Sequence, residues 1–259
     1  IIPARKVSLR EMQEAMRDHF EGTPYEMTSD VGAGPNHVPY RWRPMDYKVD
    51  GKTYTMERAI ATQQTGWSFV SQSRDYLPDP VGGVLWFGTD DTNTTVYMPF
   101  YCSMTEVPAQ LDHGDINTFS FDSNFWMNNW VANQAYNRYD LMIPDIRKVQ
   151  KGLEDKYEAT RPAQEKKLAE LAAAGDVKAI TAAVNAEGAA IAKEATDAYR
   201  DLGQYLFVKF MDGNMKKTDA DGKFIKSEYG LPVYPEFPGY DQKYYDNIVK
   251  ETGDHFLIK

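Results

Sequence analysis

Cysteine is nearly absent: Cys102 is the single one in 259 residues. No disulfide can close within the chain, and the redox compartment stays open. Histidine is scarce too, with His19, His37, His113 and His255 scattered outside any His-Glu-x-x-His spacing and no Cys-x-x-Cys to accompany them. That composition argues against a metal site. No apolar run approaches the roughly 18 residues of a membrane span; the longest lies near Val84 to Phe87. An excess of cations is also missing. With 29 Lys and Arg against 38 Asp and Glu, the net charge is −9, which excludes a general nucleic-acid binder. The expectation is a soluble chain with no nucleic-acid or membrane partner. The opening Ile1-Ile2-Pro3-Ala4-Arg5-Lys6 carries neither an initiator methionine nor a charged stretch followed by an apolar one. An upstream segment is therefore expected to have been removed, leaving the location either cytoplasmic or exported with its signal upstream.

What is present is apolar material enough for a core: 42% hydrophobic and 13% aromatic residues. Ser8 and Glu11 stand at capping-box spacing before Leu9, Met12, Met16 and Phe20, which predicts an opening helix. Residues 23–53, rich in Gly and Pro and carrying Arg41 and Arg43, read as a long ordered loop. Between residues 55 and 122 the pattern turns to β-prone runs at Ala59–Val70, Gly83–Phe87, Thr94–Met98 and Thr118–Phe121. Pro78-Asp79-Pro80, Asp90-Asp91 and His113-Gly114-Asp115 separate them, predicting antiparallel strands. Thr94 to Tyr97 is expected to return beside the arm that holds Leu85 and Phe87. A helical period resumes near Ser123 with an apolar face of Phe125, Trp126, Trp130, Val131 and Tyr136, and Pro144 suits a helix's first turn. Residues 145–174 and 176–212, divided at Gly175-Asp176, predict a helical hairpin with solvated Lys/Glu faces. Pro162 should kink or interrupt its first arm. After Gly213 an irregular tail should end in a short helix near Tyr244 to Lys250.

The motifs taken singly carry little chemistry. Cys102 lacks a neighbouring histidine, and free cysteines are usually buried, so a structural role is expected. Gly32-Ala33-Gly34 lacks the third glycine of a dinucleotide loop, and Asp219-Ala220-Asp221-Gly222 lacks the closing glutamate of a calcium loop. No cofactor is implied. The segment Glu57 to Arg74 mixes polar and aromatic residues; as a strand it would put Arg58, Thr62, Gln64 and Ser68 on one face and Thr65, Trp67 and Phe69 on the other. Buried polar side chains there would need partners or a ligand.

Several segments stand in order along the chain: Met16-Arg17-Asp18-His19-Phe20-Glu21-Gly22-Thr23, Gln63-Gln64-Thr65, Ser73-Arg74-Asp75-Tyr76-Leu77-Pro78, Gly83-Val84-Leu85-Trp86-Phe87-Gly88, Tyr97-Met98-Pro99-Phe100-Tyr101, Thr105-Glu106-Val107-Pro108, Phe125-Trp126 through Asn133, and Met142-Ile143-Pro144-Asp145-Ile146. Together they resemble the dipeptidase A family of cysteine peptidases, which belongs to the N-terminal-nucleophile hydrolases with the secernins and penicillin V acylase. The resemblance extends from residue 16 to about 146, and more weakly into the tail.

This resemblance implies hydrolysis of dipeptides by a cysteine at a mature N-terminus. The residue's own α-amine, with an ordinary pKa near 8, would act as base. Ile1 cannot be that nucleophile, so the chain is expected to be the C-terminal half of a longer enzyme, inactive alone and partnered by the missing N-terminal half. The implied fold class is α+β, the C-terminal part of an α/β/β/α sandwich with antiparallel strands and a long helical hairpin. The divisions expected are a core part at 1–140, the hairpin at 141–215 and the tail at 216–259. By position in the relatives' pattern, Arg58 is the catalytic-site candidate, and Arg74, Gln64 and Trp67 are candidates for binding substrate. Arg74 suits a peptide carboxylate, although a structural ion pair is an equal reading for either arginine. The rival readings are a non-catalytic assembly module using the hairpin and a thiol enzyme based on Cys102. A homo-oligomer remains compatible with all three.

Overall fold

The computed structural model describes residues 4–258; Ile1, on which the expectation of an upstream segment rests, lies outside them. Helix α1 (Leu9–Ala15) begins where the capping pattern places it. Glu11 N–H donates to Ser8 Oγ at 3.2 Å while the Glu11 carboxylate accepts from Ser8 N–H at 2.8 Å. Two otherwise orphaned donors are thus satisfied. The helix buries Gln13 and, just beyond its end, Arg17; Met12 faces water.

The stretch at 23–53 is more regular than a long loop. After a 3-10 turn at Val31–Asn36, strands β1 (Asp46–Val49) and β2 (Lys52–Thr55) form a hairpin. Asp50 and Gly51 both take positive φ, 50° and 76°, the two-residue turn whose twist matches its strands. Tyr47 and Tyr54 face each other with rings stacked at 5.7 Å. Both strands are exposed throughout, so this hairpin stands off the body.

The main sheet has three antiparallel strands in the order β3 (Trp67–Ser73), β4 (Gly83–Thr89) and β5 (Met98–Tyr101), with the short helix α2 (Asp79–Gly82) joining the first two. The expected strands need three corrections. Residues 57–66 are irregular, with Thr65 N–H turning back to Thr62 C=O, so Arg58, Thr62 and Gln64 share no strand face with Ser68. The return strand starts at Met98 rather than Thr94, because Thr92 to Thr94 turn within the core. Thr118 makes one isolated bridge to Asp115 and no strand.

Helix α3 (Ala109–Asp112) and helix α4 (Asn124–Ala135) precede the long pair α5 (Tyr139–Ala173) and α6 (Val177–Phe210). Gly175 (φ 72°) ends the first arm, and Asp176 caps the second by accepting Ala179 N–H at 2.9 Å. Of the two outcomes expected at Pro162, interruption does not occur, because α5 runs through it. Pro162 faces solvent, and Glu158 one turn earlier is half-exposed, so water can satisfy the carbonyl that loses its donor. The aromatic face expected of α4 is also displaced. Met127, Val131, Ala132 and Ala135 are fully buried, whereas Phe125, Trp126 and Trp130 flank them half-exposed.

One apolar cluster joins Val70, Val84 and Trp86 of the sheet to Met127 and Val131 of α4 and to Ile146, Val184, Tyr199 and Leu206 of the long pair. Close approach depends on two helical glycines. A Cβ at Gly203 would lie 2.5 Å from the Trp130 ring, and one at Gly188 would lie 2.4 Å from the end of Met104. The tail beyond residue 213 carries helix α7 (Gln242–Thr252), tied to the 28–37 loop by Lys243 Nζ donating to Ser29 C=O at 2.7 Å and by the His37–Asp241 pair at 3.1 Å.

Glu154 is the polar centre of the body, 1% exposed. Its carboxylate accepts from Arg17, from Arg10 and from Tyr97 N–H at 2.9 Å. A buried ion pair contributes little net stability, but losing one partner strands the other. Glu154→Ala should therefore lower unfolding free energy by roughly 3–5 kcal/mol in urea titration. The double variant Arg17→Met/Glu154→Gln, which keeps an acceptor for Tyr97 N–H, should recover part of that loss.

Candidate functional site

The open part of the molecule is one face of the main sheet. Residues opposed across an antiparallel pair share a face, and the register sets Trp67 beside Thr89 and Phe69 beside Phe87. The Trp67 ring stacks on Phe69 at 5.9 Å and on Phe87 at 6.1 Å. Even so, Trp67 is 60% and Phe69 43% exposed. On the opposite face Ser68, Val70 and Trp86 are buried. Among the described residues no strand pairs with the outer edge of β3.

The sequence-derived candidates divide between the two ends of β3. Arg58 and Gln64 are exposed near its start and line a narrow cleft of about 10 Å³ shared with Met27, Arg41 and Gln63. Gln63, not Gln64, is the fixed amide: its Nε2 donates to Arg41 C=O, whereas Gln64 Oε1 accepts only from Thr62 Oγ1. Trp67 begins the strand. Arg74 follows its other end and is buried. Its Nε donates to Gly82 C=O at 3.2 Å, one terminal nitrogen donates to Val81 C=O at 2.8 Å, and the other pairs with Glu165, which also holds Arg161. With each of its three nitrogens bonded, Arg74 acts as a structural tie between α2 and α5. Cys102 also differs from expectation: it is exposed. Tyr101 points into the core, and its neighbour in the following turn faces out.

Sequence reasoning missed the most constrained element. Thr89 to Tyr97, the connection from β4 to β5, is wholly buried. Buried backbone must find partners within the protein, and this segment finds them in side chains from distant elements. Tyr199 OH donates to Thr94 C=O, Gln150 Nε2 to the carbonyls of Asn93 and Thr95, and Arg147 to Asn93 C=O at 2.7 Å. Asp91 accepts from Tyr40 OH, and Asn93 Nδ2 donates to the hydroxyls of Tyr40 and Tyr139 at 2.9 Å. Asp90, in the left-handed region at φ 65°, bridges back to β3 through its N–H on Gly66 C=O at 2.8 Å. The dense polar run Asp90-Asp91-Thr92-Asn93-Thr94-Thr95 was the available signal. It reads as a solvated turn unless its partners are known.

Electrostatics single out Asp90. Burial pushes its carboxyl up to about 7, with Asp91 adding to the rise and Asn129 donation opposing it. Burial raises Asp91 too, against donation from Tyr40 and Asn93 N–H. Asp90 Oδ2 and His19 Nε2 remain buried without partners. Beside this loop, Thr89 opens on a cavity of about 310 Å³ shared with Asp112, His113, Asp115, Ser123 and Trp126.

Comparison with known proteins narrows the chemistry. A model of peptidase family C69 matches residues 1–152. A curated dipeptidase of Bifidobacterium longum (strain NCC 2705) is 27% identical over 133 residues, covering 50% of this chain and 21% of that protein. A probable dipeptidase of Salmonella dublin is 26% identical over 117 residues, covering 45% of this chain and 22% of that protein. The aligned region thus spans about a fifth of the length of either relative.

The raised Asp90 carboxyl fixes a pH dependence. Below about pH 4 folded and unfolded chains both hold this proton. From there up to about 7 only the folded one does, so stability falls by at most about 1.4 kcal/mol per pH unit and levels off above. Asp90→Asn, which keeps an acceptor for Asn129, should remove that slope. It should be more stable than the parent at pH 8 by on the order of 2 kcal/mol in denaturant titrations.

Proposed function

This chain belongs to peptidase family C69, and from that premise we propose that it forms part of a dipeptidase whose nucleophile is supplied by another part of the same polypeptide. Membership of a peptidase family, with dipeptidases among the relatives, carries the reading. Two structural observations support it. The single thiol, Cys102, has no histidine bonded to it, so an ordinary thiol–base pair is not built on it. The open aromatic face and free edge of β3 are a surface on which a second sheet would pack and pair.

In this reading a cysteine at a mature N-terminus attacks the peptide carbonyl as a thiolate, its proton passing to its own α-amine. The C–N bond breaks as the leaving amine takes that proton, and water then cleaves the thioester and restores the thiol. Arg58, free of any ion pair among the described residues, would support the nucleophile electrostatically. Gln64 and Trp67 would contact substrate at the same end of β3. Arg74 is assigned no substrate contact, because its guanidinium is already engaged.

The test is to assay amino-acid release from dipeptides by the longer parent polypeptide and by this chain separately. The parent should hydrolyse dipeptides, the chain alone should not, and Cys102→Ala in the parent should leave kcat/KM within about twofold. Activity of the chain alone that disappears with Cys102→Ala would replace this reading with a Cys102 enzyme. Adding the upstream segment to the chain should produce a complex, and Trp67→Lys/Phe69→Lys should weaken it at least tenfold in sedimentation or titration calorimetry.

A further inference from the structure

The cavity beside Thr89 brings the N-terminus of α4 against an acidic rim. Ser123 precedes α4 with φ −93° and ψ 125°, the extended backbone of a capping residue, yet its hydroxyl makes no capping bond. A serine there ordinarily accepts from the second or third helical N–H. Ser123 is 1% exposed, has no side-chain hydrogen bond among the described residues, and lines the cavity. The first helical N–H with an acceptor is that of Met127, on Ser123 C=O at 3.1 Å. Among the described residues the N–H groups of Phe125 and Trp126, both cavity residues, have no acceptor. By contrast, α6 and α7 are both capped by aspartate side chains.

The rim has the opposite character. Asp112 and Asp115 are exposed there, and no lysine or arginine lines the cavity. Asp115 Oδ1 accepts Asn117 N–H, while its C=O accepts the Trp126 indole N–H at 3.0 Å and fixes that ring as a wall. His113 Nε2 lies 3.1 Å from Ser120 Oγ. A simple anion at the helix end would face two carboxylates, and a simple cation would face the positive end of a helix dipole. A zwitterion of amino-acid or dipeptide size answers both.

We infer that this cavity binds the zwitterionic form of a dipeptide or free amino acid, with its carboxylate on Ser123 Oγ and the α4 N-terminus and its ammonium on Asp112 and Asp115. The inference rests on the dipeptidase reading for its place in catalysis. Thr89 lines the cavity and is Trp67's partner across the open sheet face, so the site adjoins the surface assigned to substrate.

The experiment follows the Trp126 indole resonance of the full chain during titration with leucylglycine, N-acetyl-leucylglycine, leucylglycinamide and free leucine. Leucylglycine should shift it, both blocked derivatives should bind at least tenfold more weakly, and Ser123→Ala and Asp112→Asn/Asp115→Asn should each weaken leucylglycine at least fivefold. Free leucine binding as well as leucylglycine would identify a product site, and binding far more weakly would identify a dipeptide site; both uphold the zwitterion. Equal binding of the blocked derivatives, or no shift at millimolar leucylglycine, overturns it. In the parent enzyme Ser123→Ala should raise KM at least fivefold with little change in kcat. Dipeptide hydrolysis with KM unmoved by that variant would refute the subsite and leave the dipeptidase reading standing. Zwitterion binding by the chain, in a parent that cleaves no dipeptide, would do the reverse.

Discussion

A connection between two strands that passes through the core, rather than over the surface, must be hydrogen-bonded from within, and this constraint organises the molecule. Asp90 to Tyr97 are buried, so Tyr40, Arg147, Gln150, Glu154 and Tyr199 must each present a polar atom to them. Three of these side chains lie on α5 and one on α6. The long helices are therefore positioned by polar demands as well as by apolar packing. An unmet buried polar group costs about as much as a lost core side chain, so the arrangement has little freedom to drift. Arg17 and Arg10 bring α1 into the same network through Glu154.

The sheet is finished on one side only. Its inner face carries Val70, Val84 and Trp86 into the core, with Arg161 lying 5.3 Å over the Trp86 ring. Its outer face is closed by α6 over β5 but left bare over β3. Near the tip of the helical hairpin Leu168, Ile180 and Val184 are as buried as the centre of the body, whereas Val177, Phe207 and Val208 of α6 are exposed. Exposed large apolar side chains lie on β3, on the tail and at the two ends of α6.

Local rules made much of this legible. The capping box at Ser8 and Glu11, the Gly175-Asp176 break and the Ala/Glu/Lys-rich arms are short-range chemistry, and short-range chemistry survives tertiary packing. The Asp50-Gly51 turn was equally local and was overlooked inside a stretch read as loop. Residues 57–66 failed for a different reason: Ile60, Thr62 and Thr65 are β-branched and resemble a strand's content, but Gln63 is drawn to the Arg41 carbonyl, a contact 22 positions away. The polar loop and the Arg74 tie depend on partners up to 105 and 91 positions distant, so no short window of sequence contains both halves. The fragment expectation, the sandwich and the N-terminal cysteine came from resemblance rather than from periodicity.

The tail invites a last consequence. Tyr229, Leu231, Tyr234, Phe237, Val249, Phe256 and Ile258 are all more than 60% exposed, and α7 meets the body chiefly through a lysine, a histidine and an aspartate. Contacts of that kind are traded readily for equivalent ones on a neighbour. Swapping this arm between copies would rearrange the outside of an assembly and leave each interior untouched.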